Sequence, residues 1–274
     1  MPELPEVESL RRSLEPHLLG RVLLSADVHF PVLRWEIPGE ALTQLCQEKP
    51  RVDRLERRGK YLIFHFEGNR ALLSHLGMSG QWLVDHDFEP GQHMHVVLNF
   101  EGKRLTYRDP RRFGMIDIAT QSELAHHPRL IGLGPEPLST GFCVEQCWAG
   151  FKAAKVSVKA WVMNAKNVVG VGNIYASEAL FLAGIRPTAR ANRIAKYRFG
   201  KLIERIKQVI ADAIDSGGTT LQDYRNAEGE AGSFQRRLQV YGRQSEPCYV
   251  CGTHIRSVVL SQRSTFFCPT CQPR

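Results

Sequence analysis

Apolar residues near the start of the chain recur at helical spacing. Val7, Leu10, Leu14 and Leu18 fall on one face and predict an amphipathic helix. The period then changes. Tyr61 to Phe66, His95 to Phe100 and Arg104 to Tyr107 are short strand-like runs, with Glu67-Gly68-Asn69 and Glu101-Gly102-Lys103 as turns. Several short strands at this spacing predict a β-sandwich or barrel up to about residue 120. The Gly/Pro-dense stretch Ile131 to Gly141 predicts a linker or hinge. Beyond it the pattern turns helical. Leu202, Ile203, Ile206, Val209, Ile210 and Ile214 make one apolar stripe that stops at Gly217-Gly218.

Composition narrows the class. With 274 residues the chain has room for two domains with cores of their own. No apolar run is long enough to span a bilayer, and no targeting segment is visible. A reducing, cytoplasmic setting is therefore expected. The formal net charge of +8 favours a polyanionic partner, nucleic acid before an anionic membrane. The bias sharpens towards the end. From Phe234 onward the chain carries Arg236, Arg237, Arg243, Arg256, Arg263 and Arg274 against a single acidic residue, Glu246. Such a segment is suited to lie on phosphates.

The cysteines change the picture most. Cys248-x2-Cys251 and Cys268-x2-Cys271 are separated by sixteen residues, the spacing of a four-cysteine zinc site. The competing reading is two disulfides in a secreted protein. It is disfavoured because no signal segment is visible and Cys46, Cys143 and Cys147 remain as an odd set. Between the pairs, Ser257 to Leu260 and Thr265 to Phe267 predict a β-hairpin. With all four positions filled by sulfur, one zinc ion would be structural.

The first residues admit two readings. Removal of Met1 would expose the secondary amine of Pro2 beside Glu3 and Glu6. A terminal amine titrates near ~7.7–8, so much of it is neutral and nucleophilic at neutral pH. Such an amine can form a Schiff base while nearby carboxylates move protons. The plainer reading is an ordinary helix start, with proline and acids suited to a first turn. Both can hold at once.

Other motifs are weaker alone. Val168 to Glu178 is a glycine-rich turn ahead of a helix, where Asn173 could cap the helix and donate to a phosphate. Arg57-Arg58-Gly59-Lys60 is a basic cluster at a strand entry. Asp109 to Gly114 puts Arg111, Arg112 and Phe113 on a turn that could grip phosphate and wedge between bases. Met78, in the turn Ser74 to Gly80, would suit a wedge if exposed and the core if not.

Taken together, these residues resemble the bacterial formamidopyrimidine-DNA glycosylases, which remove oxidised purines such as 8-oxoguanine from DNA. The resemblance runs from Pro2 to Cys271. It rests on the opening Pro-Glu-Leu-Pro-Glu-Val-Glu, Asp109 to Gly114, Gly170 to Glu178, Val240-Tyr241-Gly242-Arg243 and the cysteine quartet. It implies an α+β fold: a β-sandwich flanked by helices, then a helical domain with a helix–two-turn–helix motif and a β-hairpin zinc finger. The expected bounds are 1–130 for the sandwich, 131–141 for the linker, 142–233 for the helical domain and 234–274 for the zinc finger.

The resemblance also implies roles. Pro2 would be the nucleophile at sugar C1′ and Glu3 the acid/base. Lys60 would serve proton transfer around β-elimination and contact phosphate. Arg263 would act in δ-elimination and grip phosphates beside the lesion. Lys159 and Asn173 would clamp phosphates, with His93 and Lys155 as further DNA contacts. Met78, Arg111 and Phe113 would fill the gap left by the flipped base, with Arg111 reading the opposite cytosine. Glu6 would line the lesion pocket under a loop from Gly218 to Gly232. The implied partner is damaged double-stranded DNA near the bacterial nucleoid, bound by a monomer holding one zinc, with no membrane role.

Two readings compete. The sister endonucleases that excise oxidised pyrimidines usually open Pro-Glu-Gly-Pro, where this chain has Leu4. A non-catalytic DNA-binding protein would lack Pro2, Glu3 or Lys60, and all three are present. One departure from the family pattern is Asn164, where aspartate is common.

Overall fold

The computed structural model describes residues 2–85, 93–219, 227 and 232–273. The chain forms two compact units, Met1–Ile131 with Ser216–Ser233, and Gly132–Asp215 with Phe234–Arg274.

The first unit opens with helix α1 (Leu4–Leu18). Then come β1 (Leu23–Val28), α2 (Gly39–Gln47), β2 (Val52–Arg58), β3 (Tyr61–Phe66), β4 (Arg70–His75), β5 (Gln81–Val84), β6 (Met94–Phe100), β7 (Lys103–Arg108) and β8 (Met115–Thr120). The strands make two antiparallel four-stranded sheets, in orders β1-β6-β7-β5 and β2-β3-β4-β8. One apolar core joins their inner faces: Phe64 and Phe66 from one sheet, Trp82, Leu98 and Tyr107 from the other, and Val7, Leu10, Leu14 and Leu18 from α1. This is the expected sandwich. Strand β3 is apolar on both faces because Ile63 packs in a second cluster with Leu73, Met115 and Leu124. A strand covered on both sides loses the alternation of a half-exposed one.

The second unit contains α3 (Val144–Ala153), α4 (Val158–Val162), α5 (Asn173–Leu182), α6 (Lys196–Asp215), β9 (Arg256–Leu260) and β10 (Arg263–Phe267). Phe151, Trp161 and Phe199 form its aromatic centre, with Phe151 and Phe199 stacked at 4.0 Å. Between α4 and α5 the chain makes a turn at 165–167 and then a bend at 168–170. In the first, Asn164 Oδ1 accepts from the Lys166 amide at 3.0 Å. Asparagine thus supplies the acceptor that an aspartate would, and the departure leaves the turn intact.

One sequence-based bound differs from the compact units. Residues 216–233, assigned to the helical domain, belong to the first unit, because Ala227 sits in the sandwich core and its carbonyl accepts from Val84 N–H at 3.1 Å. The zinc-finger segment bonds to the helices of the second unit. Buried Gln272 donates to the Ile185 carbonyl at 2.8 Å and accepts from Cys268 N–H at 2.9 Å. Glu178 on α5 accepts from the amides of Gln239, Val240 and Tyr241.

Candidate active site and nucleic-acid interface

In the first unit the chemistry gathers at the start of α1. Pro2, Glu3 and Glu6 are all buried. Glu3 is the N-cap residue and its amide donates to Glu6 Oε2 at 2.7 Å, part of a capping box. The other oxygen of Glu6 accepts from Thr219 N–H, also at 2.7 Å. One carboxylate therefore fixes both the helix start and the entry to the segment at 220. Gly218 is required beside it. Its φ is +83°, and a Cβ there would lie 2.9 Å from Glu6 Oε1. Of the expected loop, residues 220–226 and 228–231 lie outside the described residues.

Lys60 occupies the two-residue turn between β2 and β3, after Gly59 at φ +58°. Arg57, just before it, donates to Glu8 Oε2 at 3.2 Å, which ties this hairpin to α1. His75 lies close by, opposite Tyr61 in the β3–β4 register. Its Nδ1 accepts from Gly77 N–H at 3.0 Å, so the neutral ring carries its proton on Nε2. Burial, and then the charges of Lys60 and Arg34, push its pKa down to about 4. Sequence reasoning misses this histidine; the one available signal is its place beside Leu76-Gly77-Met78.

The residues expected to fill the gap in the stack sit on two touching loops. Met78 is half-buried, while Arg111 and Phe113 are exposed. The Arg111 guanidinium carbon lies 5.1 Å from the Phe113 ring centre. A Cβ on Gly77 would meet the Phe113 carbonyl carbon at 2.3 Å, so the loops touch backbone to backbone. Exposed His93 adopts φ +61°, and its carbonyl accepts from Asp109 N–H at 3.0 Å.

In the second unit, Lys159 differs from a surface clamp. It is 1 % exposed, and its Nζ donates to Asn173 Oδ1 at 2.5 Å and Thr265 Oγ1 at 2.7 Å. The ammonium is an internal strut joining α4, α5 and β10. Asn173 is the first residue of α5, and Gly172 is the N-cap. Asn173 does not cap the helix, because its side chain is directed sideways to Lys159 and to the Ser264 carbonyl at 3.0 Å. Arg263 is exposed at the start of β10. A tight turn, Ser261 and Gln262 at φ +48° and +60°, presents it. Lys155 is exposed in the loop before α4.

The four sulfurs of Cys248, Cys251, Cys268 and Cys271 lie within 4.8 Å of one another. Separations of 3.9, 3.4 and 3.5 Å bracket the edge of about 3.8 Å expected of a tetrahedral ZnS4 centre. The residues fit one zinc.

Family comparison agrees with this geometry. Residues 1–116 match the formamidopyrimidine-DNA glycosylase N-terminal domain, 133–225 the formamidopyrimidine-DNA glycosylase H2TH domain, and 245–274 a zinc finger found in FPG and IleRS. The formamidopyrimidine-DNA glycosylase of Thiobacillus denitrificans is 47% identical, with 99% of this chain and all of that protein aligned. The chain belongs to the formamidopyrimidine-DNA glycosylase family. Among solved structures, the MutM (Fpg) protein of Thermus thermophilus is 38% identical at a TM-score of 0.89, covering 99% of this chain and 98% of the other. A Lactococcus lactis Fpg mutant in complex with Fapy-dG-containing DNA is 31% identical at a TM-score of 0.91, with full coverage of both. Its family thus fixes the one structural zinc on the cysteine quartet. Among the described residues no helix is long and apolar enough to cross a membrane.

Proposed function

We propose that this glycosylase excises oxidised purines from double-stranded DNA and then cleaves the strand, with the Pro2 amine as nucleophile once Met1 is removed. The observation that carries the reading is the start of α1. Pro2 is buried at the head of α1, and Glu3 and Glu6, which follow it in sequence, are buried carboxylates that both take part in the capping box of the helix start. Glu3, next to the amine in sequence, serves as the acid/base.

The Pro2 lone pair forms a bond to sugar C1′ as the glycosidic bond breaks, and the departing base takes the electron pair and the proton that the secondary amine sheds. Glu3 protonates the ring oxygen as the sugar opens. Because proline is a secondary amine, the product is an iminium, cationic without further protonation. That cation draws electrons from C2′, and proton loss there expels the 3′ phosphate. Lys60 is suited to move that proton, and Arg263 to hold the phosphates through the second elimination. The ammonium that Lys60 becomes on taking the proton and the Arg263 guanidinium stabilise phosphate charge as it leaves. Asn173 and Lys155 add backbone grip, and Lys159 sets Asn173 in place. Met78, Arg111 and Phe113 fill the gap in the stack, with Arg111 donating to cytosine.

Borohydride tests the reading. It should trap a covalent complex with DNA bearing 8-oxoguanine opposite cytosine, and peptide mapping should find the adduct on residue 2. Pro2→Gly should retain DNA binding and lose most trapping. An adduct mapped to an internal lysine would remove Pro2 from the mechanism.

A further inference from the structure

We propose that Asp109 is a positioning residue for opposite-base selection, a buried carboxylate that locks the Arg111 loop to the Met78 turn. The proposal rests on the reading of Met78, Arg111 and Phe113 as the gap-filling group.

Asp109 is fully buried. Its Oδ1 accepts from Ser79 Oγ at 2.6 Å and from the Arg111 amide at 3.3 Å. Its Oδ2 accepts from the Gly114 amide at 2.8 Å. Ser79 Oγ also accepts from the Arg111 amide at 3.2 Å, so one N–H is shared between the two loops. The Asp109 carbonyl is used as well, by Arg112 N–H at 3.2 Å and His95 Nε2 at 2.9 Å. The donors to the carboxylate come from the residue after Met78, from Arg111 itself and from the residue after Phe113. Every gap-filling residue is thus held within one position of the same carboxylate.

Both oxygens are needed. An amide at this position has a single acceptor oxygen and would face one donor set with its own N–H groups. Little slack is available elsewhere. A Cβ on Gly114 would lie 1.8 Å from Tyr107 Oη, and one on Gly80 2.3 Å from it, so the tyrosine hydroxyl fills the space behind the two loops. Arg111 and Phe113 remain exposed on this frame. A guanidinium that reads one base through paired hydrogen bonds must be held to a fraction of an ångström, because the entropy of ordering it would otherwise weaken binding.

The test is single-turnover excision of 8-oxoguanine opposite cytosine and opposite adenine, with thermal melting of each variant. Asp109→Asn should lower the cytosine-to-adenine ratio by about tenfold, the effect of one charge-assisted hydrogen bond. Ser79→Ala, which removes only the hydroxyl tie, should lower it in the same direction. Arg111→Ala should lower it as well, and Asp109→Asn combined with Arg111→Ala should match Arg111→Ala alone. If Asp109→Asn fails to fold, Ser79→Ala decides. An unchanged ratio in the folded variants beside an altered Arg111→Ala overturns the role of Asp109, whatever their melting temperatures. A flat ratio in Arg111→Ala overturns the reading of Arg111, and the proposal with it.

Discussion

The Glu6 carboxylate bonds the amides of Glu3 and Thr219, each at 2.7 Å, one on each oxygen. Glu6→Gln has one acceptor oxygen and must leave one buried amide unpaired. That costs about 1–3 kcal/mol, visible as a lower Tm. Gly218→Ala should destabilise by a similar ~1–3 kcal/mol, since φ +83° disfavours a side chain and the new methyl meets Glu6. The family resemblance assigns the segment tied to Glu6 to the damaged base, and on that assignment excision should fall more in both variants than strand cleavage at a preformed abasic site. Equal loss in the two assays would place Glu6 in the shared chemistry instead.

His75 gives a pH signature. Its folded pKa of about 4 lies below the ordinary histidine value of 6.5, so the unfolded chain takes up the proton first as pH falls. The stabilisation is complete above pH 6.5 and is lost as pH drops towards 4. The slope approaches 1.4 kcal/mol per pH unit at most, about one bound proton. Chemical unfolding between these limits should show it, and His75→Asn should remove that part of the slope.

Lys159 and Arg263 separate burial from direct phosphate binding. Arg263→Ala should weaken DNA binding and make log Kd less steep in log salt, by about 0.9 for each phosphate that the arginine neutralises. Lys159→Met should weaken binding and lower the Tm, since Asn173 and Thr265 lose their shared donor, but leave the salt slope nearly unchanged. A slope change equal to that of Arg263→Ala would mean that Lys159 reaches phosphate directly.

Chelation of the zinc should unfold the β9–β10 hairpin and abolish tight DNA binding, while the sandwich keeps its spectrum. Metal analysis should give about one zinc per chain. Intact binding by zinc-free protein would separate the finger from recognition.

Periodicity and punctuation make much of this legible. Strand β3, the stop of α6 before Gly217-Gly218 and the cysteine quartet all follow from local pattern, because each is fixed by neighbours in sequence. What escapes depends on partners far along the chain. The burial of Lys159 comes from Thr265, over a hundred residues away. The part played by Glu6 comes from Thr219. Asp109, set before a proline in a basic turn, looks like an exposed turn former until Ser79 is seen to meet it. Asn173 has the chemistry of a cap, but the glycine before it already takes that position.

The return of residues 216–233 to the first unit has a topological consequence. The chain passes between the units three times, after residues 131, 215 and 233. A protease nick in the linker therefore leaves two covalent tethers in place. A fragment ending at residue 131 would lack Ala227, a piece of its own interior. Neither half is a severable module, and circular rearrangement of the gene would have to keep the excursion whole.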